Sequence, residues 1–342
     1  MKKWEGFTKG VNLGGWISQF AEYDEAHFRS FITEEDFKEI KRLGFDHVRI
    51  PVDYVVLEND EGEENPLGYE MLRNAQKWCH THDLRMIVDV HEVYGYSFDP
   101  LKDMDREKFF YDEALQARFY ALWSKIAKAF GDDPDTVALE LLNEVVLIGV
   151  ADAWNKVVEK VIDVIRKEAP RSWIVVGGVC YNSITTIKLL DPPKDDRIVY
   201  NFHCYEPIIF THQGAYWVKG MPADFRIAYP ESLETYREQS MKYARDLVGA
   251  LFEEGVTKIG PEYFETLLEP AVKAAEDFGV PLYCGEYGVI ELAPMDSTLR
   301  WFHEIHEVFD KFGIGRAIWN YRGKDFGLVD EYYEPIREEI LK

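Results

Sequence analysis

Short apolar runs alternate along the chain with longer amphipathic stretches, from one end to the other. The runs are continuously apolar rather than alternating in polarity, which is typical of parallel strands that are covered on both faces. Each run therefore predicts a buried strand, and each amphipathic stretch predicts a helix. The predicted strands are Gly10–Leu13, His47–Ile50, Arg85–Val90, Val137–Leu142, Trp173–Val176, Ile198–Phe202, Leu282–Cys284 and Arg316–Trp319.

The helical stretches carry recognisable start and stop signals. The stretch Thr33–Leu43 opens with a threonine that can cap the first turn, and it closes on Gly44. Further helices are predicted at Tyr111–Phe130, Ala153–Glu168 and Pro270–Phe278.

Eight strand–helix units in 342 residues predict a (β/α)8 barrel of the triosephosphate isomerase (TIM) type, an α/β fold. We expect a single catalytic domain over residues 1–342, with an insertion of loops and helices around 206–265. The alternative is an open doubly wound sheet, whose first strand usually leads into a glycine-rich phosphate turn. Here Gly14-Gly15-Trp16 follows the first strand and does not match that turn.

Charge and cysteine content narrow the classes of partner. The chain has 62 acidic and 39 basic residues and a formal charge of −23, which disfavours binding to nucleic acid. Its four cysteines form no C-x-x-C pair, so neither a zinc ribbon nor a redox motif is indicated, and no cofactor is predicted. We expect no membrane association and a monomer. Without a visible signal peptide the sequence predicts a cytoplasmic protein, although a chain trimmed of its export signal would read identically and would be secreted.

Polar side chains collect where the predicted strands end. Each has an ordinary structural explanation: His91 as a core histidine, Arg49 as a partner of Asp46 or Asp53, Asn143 as a turn cap. Together they predict a site, because the carboxyl ends of barrel strands form one face and that face holds the chemistry. The residues are Asn12, Arg49, His91, Asn143, Glu144, His203, Tyr205, Glu286 and Trp319.

The two glutamates in this set suggest cleavage of a glycosidic bond. Such cleavage needs a protonated carboxylic acid beside the leaving oxygen and an ionised carboxylate on the opposite face of the sugar. Arg49 and Tyr205 are suited to keeping one carboxylate ionised, and Trp319 offers a flat surface to a pyranose ring. We expect the two carboxyl groups to lie about 5–5.5 Å apart, the separation that retains anomeric configuration.

At these residues the chain resembles glycoside hydrolase family 5, the cellulase family of retaining β-glycanases in clan A. The resemblance extends over nearly the whole chain, and it departs from the family pattern at Val145, where proline is common. The opening segment Gly10–Trp16 is similar to the exo-β-1,3-glucanase branch of that family. The resemblance rests on the motifs His47–Val52, Asp89–His91, Leu142–Glu144, His203–Tyr205, Gly285–Gly288 and Trp319–Tyr321.

The resemblance implies a role for each residue of the set. Glu144 would be the acid/base and Glu286 the nucleophile, which Arg49 and Tyr205 would orient. Asn143 would contact the sugar 2-hydroxyl group. In addition, His91 and His203 would line the subsite of cleavage, and Trp319 would stack beneath the sugar.

The predicted substrate is a β-glucan, with endo-β-1,4-glucanase activity first and mixed-linkage glucan also cleaved. Exo-β-1,3-glucanase and β-mannanase activities are the alternatives within the family. Trp16 and Trp217 are further predicted sugar contacts, and Tyr181, Tyr321 and Lys324 are candidates for subsite preference.

Two other classes of protein stay open. One is a sugar-binding barrel without activity. The other is a metal-dependent barrel hydrolase, which would use the ligand types of His91, Glu92, Glu144, His203 and Glu286. Arg49 argues against a metal, because it would repel a divalent cation.

Overall fold

The computed structural model describes residues 1–323 and 325–342 and contains a closed barrel of eight parallel strands. Each strand pairs with its successor in the sequence, and the first pairs with the last, which closes the barrel. The predicted (β/α)8 barrel is therefore confirmed. The strands are β1 (Lys9–Asn12), β2 (His47–Asp53), β3 (Arg85–Glu92), β4 (Val137–Glu140), β5 (Trp173–Gly177), β6 (Ile198–Cys204), β7 (Leu282–Tyr287) and β8 (Gly315–Ile318).

Helices connect the strands and cover the outside of the barrel. Short 3₁₀ helices lie at Lys108–Phe110, Ile148–Val150, Ile184–Leu189, Arg245–Leu247, Gly249–Phe252 and Glu331–Tyr333. The α-helices are α1 (Glu25–Ser30), α2 (Glu34–Arg42), α3 (Tyr54–Leu57), α4 (Pro66–His82), α5 (Glu113–Phe130), α6 (Ala151–Glu168), α7 (Ile208–Thr211), α8 (Leu233–Tyr243), α9 (Pro261–Phe278), α10 (Met295–Phe312) and α11 (Arg337–Ile340).

Local sequence signals account for the starts of several helices. Helix α2 begins with the predicted cap: Thr33 and Asp36 form a capping box, in which Asp36 Oδ2 accepts from the Thr33 backbone N–H at 2.8 Å. One predicted start is wrong, because α9 begins at Pro261 rather than at Pro270. Both prolines suit a first helical turn, but Gly260 directly precedes Pro261, and the helix continues through Pro270.

Tryptophans on the helices tie the outer layer to the barrel. Trp123, Trp154 and Trp301 are fully buried. Their indole N–H groups donate to the backbone carbonyls of Leu141, Gly177 and Glu206, respectively. Each acceptor lies just beyond or at the carboxyl end of a strand, so these helices brace the end of the barrel where the predicted site lies.

The longest connection, between β6 and β7, contains α7, α8, two 3₁₀ helices and α9. It adds structure beside the carboxyl end of the barrel, in the region where the sequence predicted an insertion. At the opposite end, Trp4 and Phe7 stack with ring centroids 3.9 Å apart and close the barrel floor against Tyr283. Over the described part of the chain, every helix is too short or too polar to cross a lipid bilayer.

Candidate active site

Arg49 is the centre of the polar cluster at the barrel mouth. It leaves β2 fully buried and forms a bidentate ion pair with Glu140 of β4, at 2.7 and 2.9 Å. Its Nη1 donates to Glu286 Oε1 at 2.7 Å, and its Nη2 lies 3.0 Å from Asp89 Oδ2. Burial lowers the pKa of Arg49, but these three carboxyl groups raise it well above its ordinary value. The guanidinium therefore stays charged.

Two asparagines complete the guanidinium shell. Asn12 Oδ1 accepts from Nη1 and Asn143 Oδ1 accepts from Nη2, both at 2.9 Å. Asn12 also donates to the carbonyl oxygen of Gly285 at 2.9 Å, which links β1 to the strand that carries Glu286. Because Arg49 occupies the oxygen of Asn143, the amide nitrogen is the end of this side chain that remains for a ligand.

Glu286, on β7, lies among donors. Its Oε1 accepts from Arg49, and its Oε2 accepts from the hydroxyl group of Tyr205 at 2.9 Å. Burial raises the pKa of Tyr205 well above its ordinary value, so the phenol keeps its proton and acts as a donor. A cation on one oxygen and a hydroxyl on the other are two charge-assisted donors that fix the orientation of this carboxyl group.

Glu144 has different surroundings. Its Oε1 lies 2.8 Å from Nδ1 of His203, and its backbone carbonyl accepts from the Tyr96 hydroxyl at 2.6 Å. Burial lowers the pKa of His203 to about 4, so the imidazole is neutral near pH 7. Burial also raises the pKa of Glu144 to about 7, although Arg49 acts in the opposite direction. A large fraction of Glu144 is therefore protonated at neutral pH.

The two glutamates face each other across a short gap. One carboxyl oxygen of Glu144, one of Glu286 and a ring nitrogen of His203 all lie within 4.8 Å of one another. That spacing is compatible with the expected short separation and is smaller than the about 6.5–9.5 Å typical of inverting pairs. A protonated acid and an ionised carboxylate at this distance can act together on one acetal centre.

His91 and Trp319 form a further wall. The His91 ring is stacked on Trp319 at 5.9 Å with an interplanar angle of 7°. Its Nδ1 lies 2.5 Å from Asp89 Oδ2, whereas its Nε2 is buried without a hydrogen-bond partner within residues 1–323 and 325–342. A buried polar atom of this kind indicates a position for a ligand hydroxyl group. Gly14 makes room for the indole, since a Cβ atom there would lie 2.9 Å from the Trp319 ring.

The structure changes several expectations for single residues. Arg49 contacts neither Asp46 nor Asp53 but the three buried carboxyl groups. Trp16 is fully buried and donates to the Phe28 carbonyl at 2.6 Å, so it has no ring surface for a sugar, and its prediction as a substrate contact is wrong. Its indole packs near Trp78 in the core.

The other predicted aromatic positions differ in access. Tyr321 is buried like Trp16, which removes it as a subsite residue. Trp217 is half-buried and packs against His212 and Phe326 beside Tyr205, so it stays a predicted sugar contact. Tyr181 is 36% exposed. Lys324 lies outside the described residues.

Several residues of the cluster were not among the predicted site residues, although Asp89 belongs to one of the family motifs. Glu140 and Asp89 lie inside strands, where a lone acidic residue gives no separate signal of function. Burial raises the pKa of Asp89 to about 7 against the effect of Arg49. The remaining members are Tyr96, Asn182 and Asn201, whose side chains contact Glu144, Asn143 and Glu140, respectively.

Glu144, His203 and Glu286 are also ligand types that a metal ion could use. The donor set fits a divalent cation poorly, because the Arg49 guanidinium already occupies Glu286 Oε1 at 2.7 Å and carries a positive charge. A carboxylate that is paired with a buried cation is a weaker ligand for a divalent metal ion.

A closed parallel barrel with two opposed carboxyl groups at the carboxyl ends of β4 and β7 defines the class of retaining glycoside hydrolases. The chain belongs to glycosyl hydrolase family 5: the family model described as Cellulase matches residues 7–325. The protein is thus a glycoside hydrolase, as the motifs predicted.

Two known proteins are similar to more than nine tenths of this chain. Cellodextrinase A of Ruminococcus flavefaciens is 38% identical over 316 residues, covering 92% of this chain and 86% of the relative. Endoglucanase C of Acetivibrio thermocellus is 36% identical over 341 residues, covering 98% and 97%. A solved endoglucanase structure superimposes with a TM-score of 0.76 at 25% identity and covers 98% of this chain and 97% of its own.

Proposed function

We propose that the protein is an endo-β-1,4-glucanase that cleaves cello-oligosaccharides and β-1,4-glucan, and also mixed-linkage β-glucan, with retention of configuration. The observation that carries the proposal is the facing pair Glu144 and Glu286, with carboxyl oxygens no more than 4.8 Å apart and opposite surroundings. The relatives named an endoglucanase and a cellodextrinase support β-1,4-glucan as the substrate.

In the first step, Glu286 attacks the anomeric carbon and forms a glycosyl ester. The bond from that carbon to the leaving oxygen breaks, and Glu144 gives its proton to this oxygen. In the second step, Glu144, now ionised, takes a proton from water while the water oxygen attacks the same carbon. The ester bond breaks and returns Glu286 as a carboxylate and Glu144 as an acid.

The other residues bind and orient the sugar. The free amide nitrogen of Asn143 suits a contact with the 2-hydroxyl group, where hydrogen bonds strengthen in the transition state. The unpaired Nε2 of His91 suits a second hydroxyl, and the Trp319 ring suits the apolar face of the same pyranose. Trp217 would contact a sugar further along the cleft.

The test is digestion of cellohexaose, laminarihexaose and mannohexaose, with product analysis and proton NMR of the first products. We expect cleavage of cellohexaose at internal bonds, with the β-anomer appearing first, and no cleavage by Glu286→Gln. An α-anomer as first product would overturn the double displacement. Preferred cleavage of laminarihexaose or mannohexaose would replace the substrate with that of the exo-β-1,3-glucanase or β-mannanase alternative.

A second candidate is a cellodextrinase restricted to short soluble oligosaccharides, which the similarity to Cellodextrinase A favours. The viscosity of carboxymethylcellulose distinguishes the two activities: an endoglucanase lowers it early, whereas a cellodextrinase releases reducing ends with little change in viscosity.

The same assay with EDTA tests the metal-dependent alternative. Activity that is lost to the chelator and restored by zinc or manganese would support a metal-dependent hydrolase.

A further inference from the structure

The turn that follows β5 contains three consecutive residues in the left-handed backbone region. Cys180, Tyr181 and Asn182 have φ angles of 54°, 58° and 52°. Residues other than glycine adopt this region at a cost, so surrounding contacts must hold the turn. The backbone N–H of Tyr181 donates to Val145 at 3.1 Å, and that of His203 donates to Asn182 at 2.9 Å. The turn is thus attached to the residue after Glu144 and to its neighbour His203.

The orientation of the Asn182 amide follows from its contacts. This side chain is fully buried, and its Nδ2 donates to the carbonyl oxygen of Asn143 at 2.5 Å. A carbonyl oxygen only accepts, so the nitrogen must face Asn143 and Oδ1 must point away. Gly177 provides the space for this amide, because a Cβ atom there would lie 2.4 Å from Asn182 Oδ1.

The second N–H of this amide points to His203. Nδ2 of Asn182 lies 3.5 Å from Nε2 of His203. On the other side of the ring, Nδ1 lies 2.8 Å from Glu144 Oε1 and 3.6 Å from Glu286 Oε2. A neutral imidazole carries one N–H, and here Nε2 faces a donor while Nδ1 faces two acceptors. The contacts therefore favour the tautomer with hydrogen on Nδ1.

We propose that Asn182 is a positioning residue that holds His203 in the Nδ1–H tautomer, so that Glu144 carries its catalytic proton on Oε2. Nδ1–H then donates to Oε1, which leaves Oε2 as the oxygen that gives its proton to the leaving group. In the opposite tautomer, the unprotonated Nδ1 would accept a hydrogen bond from Oε1–H. The proton of Glu144 would then lie on Oε1, away from the cleft. This inference rests on the proposed role of Glu144 as the acid.

The first test needs no turnover. In the protein labelled with nitrogen-15 histidine, long-range proton–nitrogen correlation distinguishes protonated from unprotonated ring nitrogens, and His203→Gln assigns the signal. We expect a protonated Nδ1 and an unprotonated Nε2 for His203 near pH 7. A protonated Nε2 with an unprotonated Nδ1 would overturn the proposal.

The second test uses aryl β-cellobiosides with good and poor leaving groups. Asn182→Gly removes the amide while keeping a residue that adopts the left-handed region without cost. We expect kcat/KM to fall about tenfold for phenyl β-cellobioside and less than about twofold for the 2,4-dinitrophenyl compound, because only the first needs general acid catalysis, which is worth roughly 10²–10⁴-fold. Asn182→Asp, whose carboxylate has no N–H and would instead accept from an Nε2–H of His203, should give the same pattern.

The matched control is Cys180→Gly, in the same turn, which should show no dependence on the leaving group. Equal losses of Asn182→Gly on both substrates would overturn the inference and indicate a merely structural residue. Failure of the wild-type protein to cleave either substrate or cellohexaose would instead overturn the proposed function, so the two failures are distinguishable.

Discussion

Glu144 and Glu286 are the same side chain at the ends of two strands, in opposite surroundings. Glu286 accepts from the Arg49 cation and the Tyr205 hydroxyl. Glu144 contacts a neutral imidazole instead, and burial raises its pKa to about 7. The two carboxyl groups thus differ in burial effects and in donors, which fits the proposed roles of Glu286 as nucleophile and Glu144 as acid.

Glu286→Ala removes the proposed nucleophile. Loss of the nucleophile should lower kcat on cellohexaose by at least roughly 10⁴-fold, because the glycosyl ester can no longer form on Glu286. Added azide should restore turnover of 2,4-dinitrophenyl β-cellobioside and give the α-glycosyl azide, identified by NMR. Formation of the β-azide would mean that Glu286 acts as the acid/base and that the roles are exchanged.

Glu144→Ala should produce a loss that depends on the leaving group. We expect kcat/KM to fall about 10²–10⁴-fold for phenyl β-cellobioside and much less for the 2,4-dinitrophenyl compound, whose phenolate leaves without a proton. Stopped-flow measurement of the first turnover separates this step from hydrolysis of the intermediate. Similar first-turnover losses with both substrates would contradict the role of Glu144 as acid.

Tyr205→Phe tests the donors around Glu286. The hydroxyl group donates to a charged acceptor, a bond worth roughly 1.5–3 kcal/mol, so kcat should fall about 10- to 100-fold. Phenylalanine keeps the ring packed against His212 and Phe326. An unchanged melting temperature would assign the loss to the site rather than to folding. Full activity of the variant would show that Arg49 alone is sufficient.

The pH profile tests the surroundings of Glu144. Because its pKa is raised to about 7, the acid is protonated below that pH and loses its proton as the pH rises through it. We expect kcat/KM on cellohexaose to fall about tenfold per pH unit above about 7. For 2,4-dinitrophenyl β-cellobioside this decline should be absent, and its presence would assign the titration to another group.

The sequence predicted the barrel because each strand is buried on both faces and so carries a continuous apolar run. Glu144 and Glu286 could be predicted as site residues because they are polar residues that interrupt or follow apolar runs. The prediction of Trp16 as a sugar contact was wrong because a tryptophan after a strand can face either the cleft or the helix layer. Only the packing of the folded protein decides between the two. The start of α9 was missed because Pro261 and Pro270 both suit a first turn.

The second layer of the site was not predictable in the same way. Glu140 and Asp89 lie within strands, and their meaning depends on sharing one guanidinium across the barrel. The role proposed for Asn182 depends on a left-handed turn and on the space beside Gly177. These contacts join strands that are far apart in the sequence. The periodicity and composition of the chain give no information about which of them will meet.

The weakest effect is expected for Tyr181, near Glu144. Tyr181 is exposed, and its backbone N–H donates to the carbonyl oxygen of Val145, next to Glu144. We therefore expect its ring to lie on the side of the leaving group. Tyr181→Ala should lower kcat/KM on cellohexaose about two- to tenfold, the value of one aromatic contact, while Tyr181→Phe keeps the stacking surface. The direct measurement is reactivation of the enzyme trapped with a 2-fluoro cellobiosyl group, using cellobiose as acceptor. Slower reactivation by Tyr181→Ala alone is expected, whereas equal reactivation of both variants and the wild type would remove Tyr181 from the leaving-group side of the cleft.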